Sequence, residues 1–301
     1  MKILVTGKHG QVGHALERAL SAEHEVVAVD REQMDLCDAH AIRSTIATVR
    51  PDLIINPAAY TAVDKAESEP ALAHAINVEA PKVIAEEAAK IGAGLIHFST
   101  DYVYEGNKST VYIESDAVNP LSVYGKTKLA GERAIQAVGI PHLILRTSWV
   151  YGPHGKNFLK TILRLSAERD QLNIVADQWG APTSSDAIAE GVREVLKVWQ
   201  MQDQTQSGVY HFTNTGSTSW FGFAKAILQA YESKAQAFGL PALKIQSETI
   251  TAITTADYPT PAARPANSRL DNTKLHTTFG VMLPAWESSL QAVMQQIPNF
   301  D

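Results

Sequence analysis

The first half of the chain repeats one hydrophobic rhythm. A short unbroken apolar run is followed by a stretch in which apolar positions recur every three or four residues. Runs of the first kind occupy 3–5, 26–29, 53–55, 95–98 and 143–145 and predict strands buried on both faces. Helical spacing covers 11–20, 41–49 and a long alanine-rich stretch, 71–91. Strands separated by helices cannot pair as hairpins, so they form a parallel sheet with right-handed crossovers. The expected fold class is α/β, a doubly wound parallel sheet.

Beyond Trp149 the rhythm loosens. Residues 158–169, 187–199, 221–231 and 285–296 predict helices, and 208–213 predicts a strand. The stretch 256–265 holds Pro259, Pro261 and Pro265, so it is expected to be irregular and exposed or ligand-facing. The later half is expected to form a smaller α+β domain over the carboxyl edge of the sheet.

Composition narrows the partners. The chain has 301 residues, with 26 Lys+Arg against 32 Asp+Glu and a formal charge of −6. A mildly acidic surface has no global attraction for nucleic acid or anionic lipid, so an anionic ligand must be held by local donors. The single cysteine, Cys37, cannot form an intrachain disulfide and fits a reducing compartment. With no secretory pattern and no apolar run of bilayer length, the expected location is the cytoplasm, with no membrane partner.

The first strand runs directly into G-x-x-G-x-x-G at Gly7, Gly10 and Gly13, with Lys8, His9, Gln11 and Val12 between. In that position the glycines permit a tight turn, close approach to a pyrophosphate and close packing of helix on strand. The amides at the helix N-terminus would then face the phosphates. This is the Rossmann-type arrangement for a dinucleotide, here NADPH or NADH. The second strand ends in Asp30, which suits an unphosphorylated adenosine ribose, but Arg31 follows and suits a 2′-phosphate, so either cofactor can be used. Asp35 and Leu36 are placed to line the adenine. Residues 1–148 are expected to form the dinucleotide-binding domain, with segments from roughly 170–215 returning to it. Residues 149–301 are expected to be mainly substrate-binding.

Tyr124 and Lys128 form Y-x-x-x-K, and on a helix positions four apart share a face. A free phenol, with a pKa of about 10, is a poor acid–base group at neutral pH. An adjacent ammonium is expected to lower that pKa toward the working range. The fourth strand ends in Ser99, Thr100 and Asp101, at the sheet edge where open α/β folds bind ligands. There Thr100 could hydrogen-bond a substrate carbonyl.

These residues resemble the extended short-chain dehydrogenase/reductases, through 56–59 (N-P-A-A), 99–101 (S-T-D), 124–128 (Y-G-K-T-K) and 146–151 (R-T-S-W-V-Y). More narrowly the chain is similar to the dTDP-4-dehydrorhamnose reductase family, through 60–67 (Y-T-A-V-D-K-A-E), 99–103 (S-T-D-Y-V), 177–183 (D-Q-W-G-A-P-T) and 264–270 (R-P-A-N-S-R-L). The resemblance implies reduction of the 4-keto group of a dTDP-linked keto sugar. It implies Tyr124 as proton donor, Lys128 as its partner and ribose ligand, Thr100 polarising the ketone and Asp101 beside them. Ala58, Ala59 and Tyr60 would join the cofactor site. Thr61, Val63, Asp64, Tyr102, Trp149, Asn157 and Arg264 would meet the substrate, Asn157 and Arg264 at its diphosphate. Read from the residues alone, Trp149 also suits a core position. Likewise 61–64 suits a helix cap, and Arg264 a salt bridge.

Some relatives carry a divalent metal such as magnesium at a subunit interface. Here Ala15 offers no carboxylate, and His9 and His14 have no third partner, so no metal is expected. The family also implies a homodimer. Three alternatives stay open: a nucleotide-sugar dehydratase or epimerase, a reductase of another keto sugar, and a cofactor-binding regulatory subunit. Against the dehydratase, Tyr102 stands where those enzymes place a glutamate.

Overall fold

The structure is a computed structural model that describes residues 1–201 and 205–297. Its frame is a six-stranded parallel sheet in the order β10-β5-β4-β3-β1-β2. The strands are β1 (Lys2–Thr6), β2 (Glu25–Val29), β3 (Leu53–Asn56), β4 (Gly94–Thr100), β5 (His142–Thr147) and β10 (Gly208–His211). Chain direction across the sheet reverses between β1 and β3, so the loops after these strands diverge and leave a crevice at the carboxyl edge.

Alternation along the strands sends side chains to two separate cores. Ile3, Val5, Ile55, Ile96 and Leu145 pack with α1 (Gln11–Leu20) and α8 (Ser185–Met201). Leu4, Ile54, Leu95 and Ile144 face the opposite way, toward α2 (Ala39–Val49) and α5 (Ala80–Ile91). α6 (Val123–Val138) covers that same second face. Burial on both faces is why these runs are continuously apolar rather than alternating. The third glycine of the turn packs as expected: a Cβ on Gly13 would lie 2.2 Å from the Gly7 carbonyl oxygen.

The long alanine-rich stretch departs from one regular helix. It comprises α4 (Pro70–His74), a π-helical turn (Ala75–Glu79) and then α5, preceded by a short α3 (Val63–Ala66). The π turn carries Asn77, whose amide accepts from the Tyr60 N–H at 2.9 Å and donates to the Tyr60 carbonyl at 3.2 Å and to Thr127 Oγ1 at 3.2 Å. A wider turn thus clamps the loop after β3 to α6, a tertiary demand that hydrophobic spacing does not encode.

A second cluster, built from α7 (Phe158–Glu168), α9 (Trp220–Phe238) and α11 (Trp286–Gln296), holds Leu159, Phe223, Ile227 and Leu290. Short strands tie it to the main sheet: β6 (Val150–Tyr151) with β9 (Thr183–Ser184), β7 (Asn173–Val175) with β12 (Thr251–Ile253), and β8 (Trp179–Gly180) between β11 (Thr218–Ser219) and β13 (Asn267–Ser268). α10 (Thr273–Phe279) returns to pack near β10. Residues 208–211 join the main sheet, whereas 212–213 have left it. The proline-rich stretch has one 3-10 turn, Thr255–Asp257, and is otherwise irregular up to β13. Among the described residues no helix is long and apolar enough to cross a membrane.

Candidate active site

At the carboxyl edge of β1, β3, β4 and β5 lies a cavity of about 490 Å³. One end is the glycine turn. Gly7, Gly10, Gln11, Val12 and Gly13 line it, and Gly10, at the N-cap of α1, has no side chain to satisfy the first amides. Those amides lack intrahelical acceptors and face open space, which fits the phosphates of a dinucleotide. Ala58, Ala59, Thr61 and Val63 form one wall. The other end gathers Thr100, Asp101, Tyr102, Tyr124, Lys128 and Trp149.

α6 begins where the Ser122 hydroxyl accepts from the Gly125 N–H at 3.1 Å, and it presents Tyr124, Lys128 and Glu132 to the sheet at successive turns. Glu132 meets Arg146 of β5 in a paired contact, Nε to Oε1 at 3.0 Å and Nη2 to Oε2 at 2.6 Å, and also accepts from Ser99 Oγ at 2.5 Å. Arg146 Nη1 continues to Tyr104 Oη at 2.7 Å, and Tyr104 to His211 Nε2 at 2.7 Å. Burial, and Arg146 next, push the His211 pKa down to about 3, so the ring is neutral and accepts from Tyr104. This buried network fixes the tyrosine–lysine helix against β4 and β5.

Lys128 is 1 % exposed, donates to the Phe98 carbonyl at 2.6 Å and lies 3.2 Å from His97 Nε2. Burial lowers its pKa to about 8, partly offset by Glu132. The Tyr124 phenol goes the opposite way from the expected depression. Burial raises it to about 12, a hydrogen bond with Thr100 opposes that, and Asp101 adds to it. The reason is geometric: the Lys128 amine is bound to Phe98 and His97 rather than to the phenol. A protonated phenol at every working pH is a ready donor.

Asp101 is only 3 % exposed, and its Oδ2 has no partner. Burial raises its pKa to about 6, against hydrogen bonds from Ser268 and Thr100. Thr100 Oγ1 donates to Asp101 Oδ1 at 3.0 Å and accepts from the Tyr102 N–H at 3.2 Å. Tyr102 meets Tyr124 edge-on, ring centroids 5.5 Å apart. Trp149 adopts φ +49° and stacks on Trp220 at 3.6 Å. A Cβ on Gly180 would lie 2.6 Å from its indole, which accounts for the glycine in the 177–183 motif.

Several expected residues lie outside this cavity. Asn157 caps α7, and its amide nitrogen donates to Gln11 Oε1 at 2.9 Å and to the Gly152 carbonyl at 2.8 Å. The Tyr60 hydroxyl turns to Glu69. Arg264 pairs with Asp64 at 2.6 Å, leaving its buried Nη1 without a partner. Asp30 is held by Lys8 at 3.0 Å, by His9 at 3.3 Å and by the amides of Glu32 and Gln33. Lys8, followed by the amides of Gln33 and Glu32, keeps its carboxyl below the usual range. Arg31 reaches Asp35, which also accepts from the Cys37 N–H, and Leu36 packs on the α2 side of the core. Ser99 lines the cavity as its place at the end of β4 suggests, and Pro57, Phe98, Thr147, Ser148 and Val150 line it without having been named as site residues. All lie at or just beyond the carboxyl ends of β3, β4 and β5, and that position was the signal available. Among the described residues, no group of three or more His, Cys, Asp or Glu is placed to hold a metal ion.

A family model described as the RmlD substrate binding domain matches residues 1–298. The dTDP-4-dehydrorhamnose reductase of Escherichia coli (strain K12) is 41 % identical over 301 residues, covering 99 % of this chain and 98 % of the relative. Its Burkholderia thailandensis counterpart is 44 % identical, covering 95 % of each. The crystal structure of dTDP-4-dehydrorhamnose reductase from Bacillus anthracis str. Ames, in complex with NADP, superposes with a TM-score of 0.88 at 32 % identity, covering 98 % of this chain and 99 % of that one.

Proposed function

The chain belongs to the dTDP-4-dehydrorhamnose reductase family, and from that premise we propose that it uses NADPH or NADH to reduce the 4-keto group of dTDP-4-dehydro-6-deoxy-L-mannose to dTDP-L-rhamnose. The observation that carries this reading is one cavity with an uncapped helix N-terminus at one end and Tyr124, Lys128, Thr100 and Asp101 at the other.

The nicotinamide supplies the hydride when bound. The residues of the chain do the rest. The Tyr124 hydroxyl donates a proton to the carbonyl oxygen as it gains charge, and the C=O becomes CH–OH. Thr100 can turn its hydroxyl from Asp101 to that oxygen and stabilise it where the charge develops. As an ammonium Lys128 keeps one N–H on the Phe98 carbonyl and one on His97 Nε2, leaving the third for a ribose hydroxyl or the phenolate. The unpartnered Arg264 Nη1, steadied by Asp64, is an unused donor group suited to a nucleotide diphosphate. Lys8 and Arg31 flank Asp30, whose oxygens are already occupied, and that supports acceptance of a 2′-phosphate.

The test is NADPH oxidation at 340 nm with the keto sugar generated in place, followed by NMR of the product. The reading expects absorbance loss and the rhamno-configured sugar. Cofactor binding without turnover would support a regulatory role instead.

A further inference from the structure

Behind the Lys128 amine runs a row of polar side chains that this scheme leaves unused. β1, β3 and β4 lie side by side with Asn56 opposite His97 in register. Thr6 Oγ1 bonds Asn56 Oδ1 at 2.6 Å, Asn56 Nδ2 meets His97 Nδ1 at 3.1 Å, and His97 Nε2 meets Lys128 Nζ at 3.2 Å. All four residues are at most 2 % exposed. Two residues earlier on the same face the sheet carries Leu4, Ile54 and Leu95, so packing alone would be served by apolar side chains. Buried polar groups in line call for another reason.

Donor and acceptor counting supplies one. Thr6 donates to Asn56 Oδ1, so the Asn56 amide donates to His97 Nδ1. A neutral ring that accepts at Nδ1 carries its proton on Nε2, and that N–H points at Lys128, where only a free amine can accept. An ammonium requires the reverse: Nε2 bare, the proton on Nδ1, and an acceptor facing it. A half-turn of the Asn56 amide provides that acceptor and lets Nδ2 donate to Thr6 Oγ1. Every bond in the row then runs the opposite way with no other heavy atom displaced. The far end touches the cofactor cavity, because Thr6 Oγ1 accepts from the Ala58 N–H at 3.3 Å and Gly7 follows Thr6.

We propose that His97 is a positioning residue of the reduction, holding Lys128 at the Phe98 carbonyl through a reversible hydrogen-bond row, Thr6–Asn56–His97, whose direction matches the protonation state of the lysine. This rests on the reductase reading above. Burial, and then Lys128, keep the His97 pKa well below its ordinary value, so the ring is neutral and works by tautomer rather than by charge. The other titratable groups around Lys128 are Tyr124 and Glu132 on its own helix, Asp101 beyond β4, and Arg146 on β5, which is paired with Glu132.

The test is ¹⁵N NMR of histidine-labelled full-length protein saturated with NADPH, titrated from pH 6 to 9. The row predicts a proton on Nδ1 of His97 at the acid end and on Nε2 at the alkaline end, with a midpoint that coincides with the alkaline limb of kcat. One tautomer throughout overturns it. As a second measurement, His97→Phe should lower kcat about tenfold, the loss of one bond to a charged group, and move the alkaline limb down by about one pH unit. His97→Gln, which keeps an acceptor, should restore most of both. A limb that stays in place, or a loss that glutamine does not rescue, marks His97 as packing only. The tautomer is read without sugar, so absent turnover on the keto sugar would sink the functional reading and not this one.

Discussion

Asp101 stores a measurable destabilisation at the head of the site. Its carboxyl is fully enclosed, one oxygen has no partner, and its pKa rises from 3.8 to about 6. Between those values the folded protein binds more protons at this group than the unfolded chain. Its contribution is therefore complete below about pH 4 and is lost as pH rises through about 6. A shift of about two units corresponds to about 3 kcal/mol, an upper figure for a group that can gain water when the cavity opens. Asp101→Asn removes the titration while keeping an acceptor for Thr100. Urea unfolding of both proteins without cofactor at pH 4.5, 6 and 8 isolates the effect, because other titrating groups cancel in the difference. The stability of the variant relative to the native chain should rise by about 2 kcal/mol across that range. Its turnover should fall, because the charge beside Tyr124 and Thr100 is gone. A difference flat to within about 0.5 kcal/mol would refute the reasoning, since it would mean that the carboxylate is not desolvated in the native state.

Other outcomes follow from the same geometry. Glu132→Ala leaves Arg146 buried without its partner and should cost about 3–5 kcal/mol of stability, read by denaturant unfolding; a loss under about 1 kcal/mol would show that the network does not secure α6. Gly180→Ala puts a Cβ 2.6 Å from the Trp149 indole, so KM for the keto sugar should rise about tenfold while KM for NADPH holds; equal changes in both would place Trp149 outside the sugar pocket. Lys128 works as an ammonium, and its pKa is lowered to about 8, so kcat should fall as pH rises through about 8; a rate constant up to pH 10 would contradict that role.

The frame was legible because each buried strand is continuously apolar and helices such as α1 and α2 between strands keep their spacing. Residues 3–5, 53–55 and 95–98 all lie within strands of the main sheet. The glycine turn was legible too, since its three glycines do tasks no other side chain permits. What the pattern could not show was tertiary. The π turn at Asn77 answers to the Tyr60 backbone, and two- and three-residue strands such as β6 and β8 exist only through their partners. Within the site, the spacing of Tyr124 and Lys128 was enough to bring both into one cavity but gave no warning that Phe98 and His97 take the amine. Asn157 is ambiguous for a similar reason: an asparagine before a helix reads equally as cap or ligand, and its bonds to Gln11 and Gly152 depend on segments far from it in sequence or folded back on it. Nothing in the sequence links His97 and Asn56 to Lys128, because their partners lie on other strands and another helix.

The most direct measurement compares the native chain with Tyr124→Phe, which keeps the ring and removes only the hydroxyl. With NADPH and the dTDP-linked keto sugar, turnover should fall about 10²–10⁴-fold while cofactor binding, followed by fluorescence, is unchanged. Turnover equal to that of the native chain would contradict the assignment of Tyr124 as the proton donor.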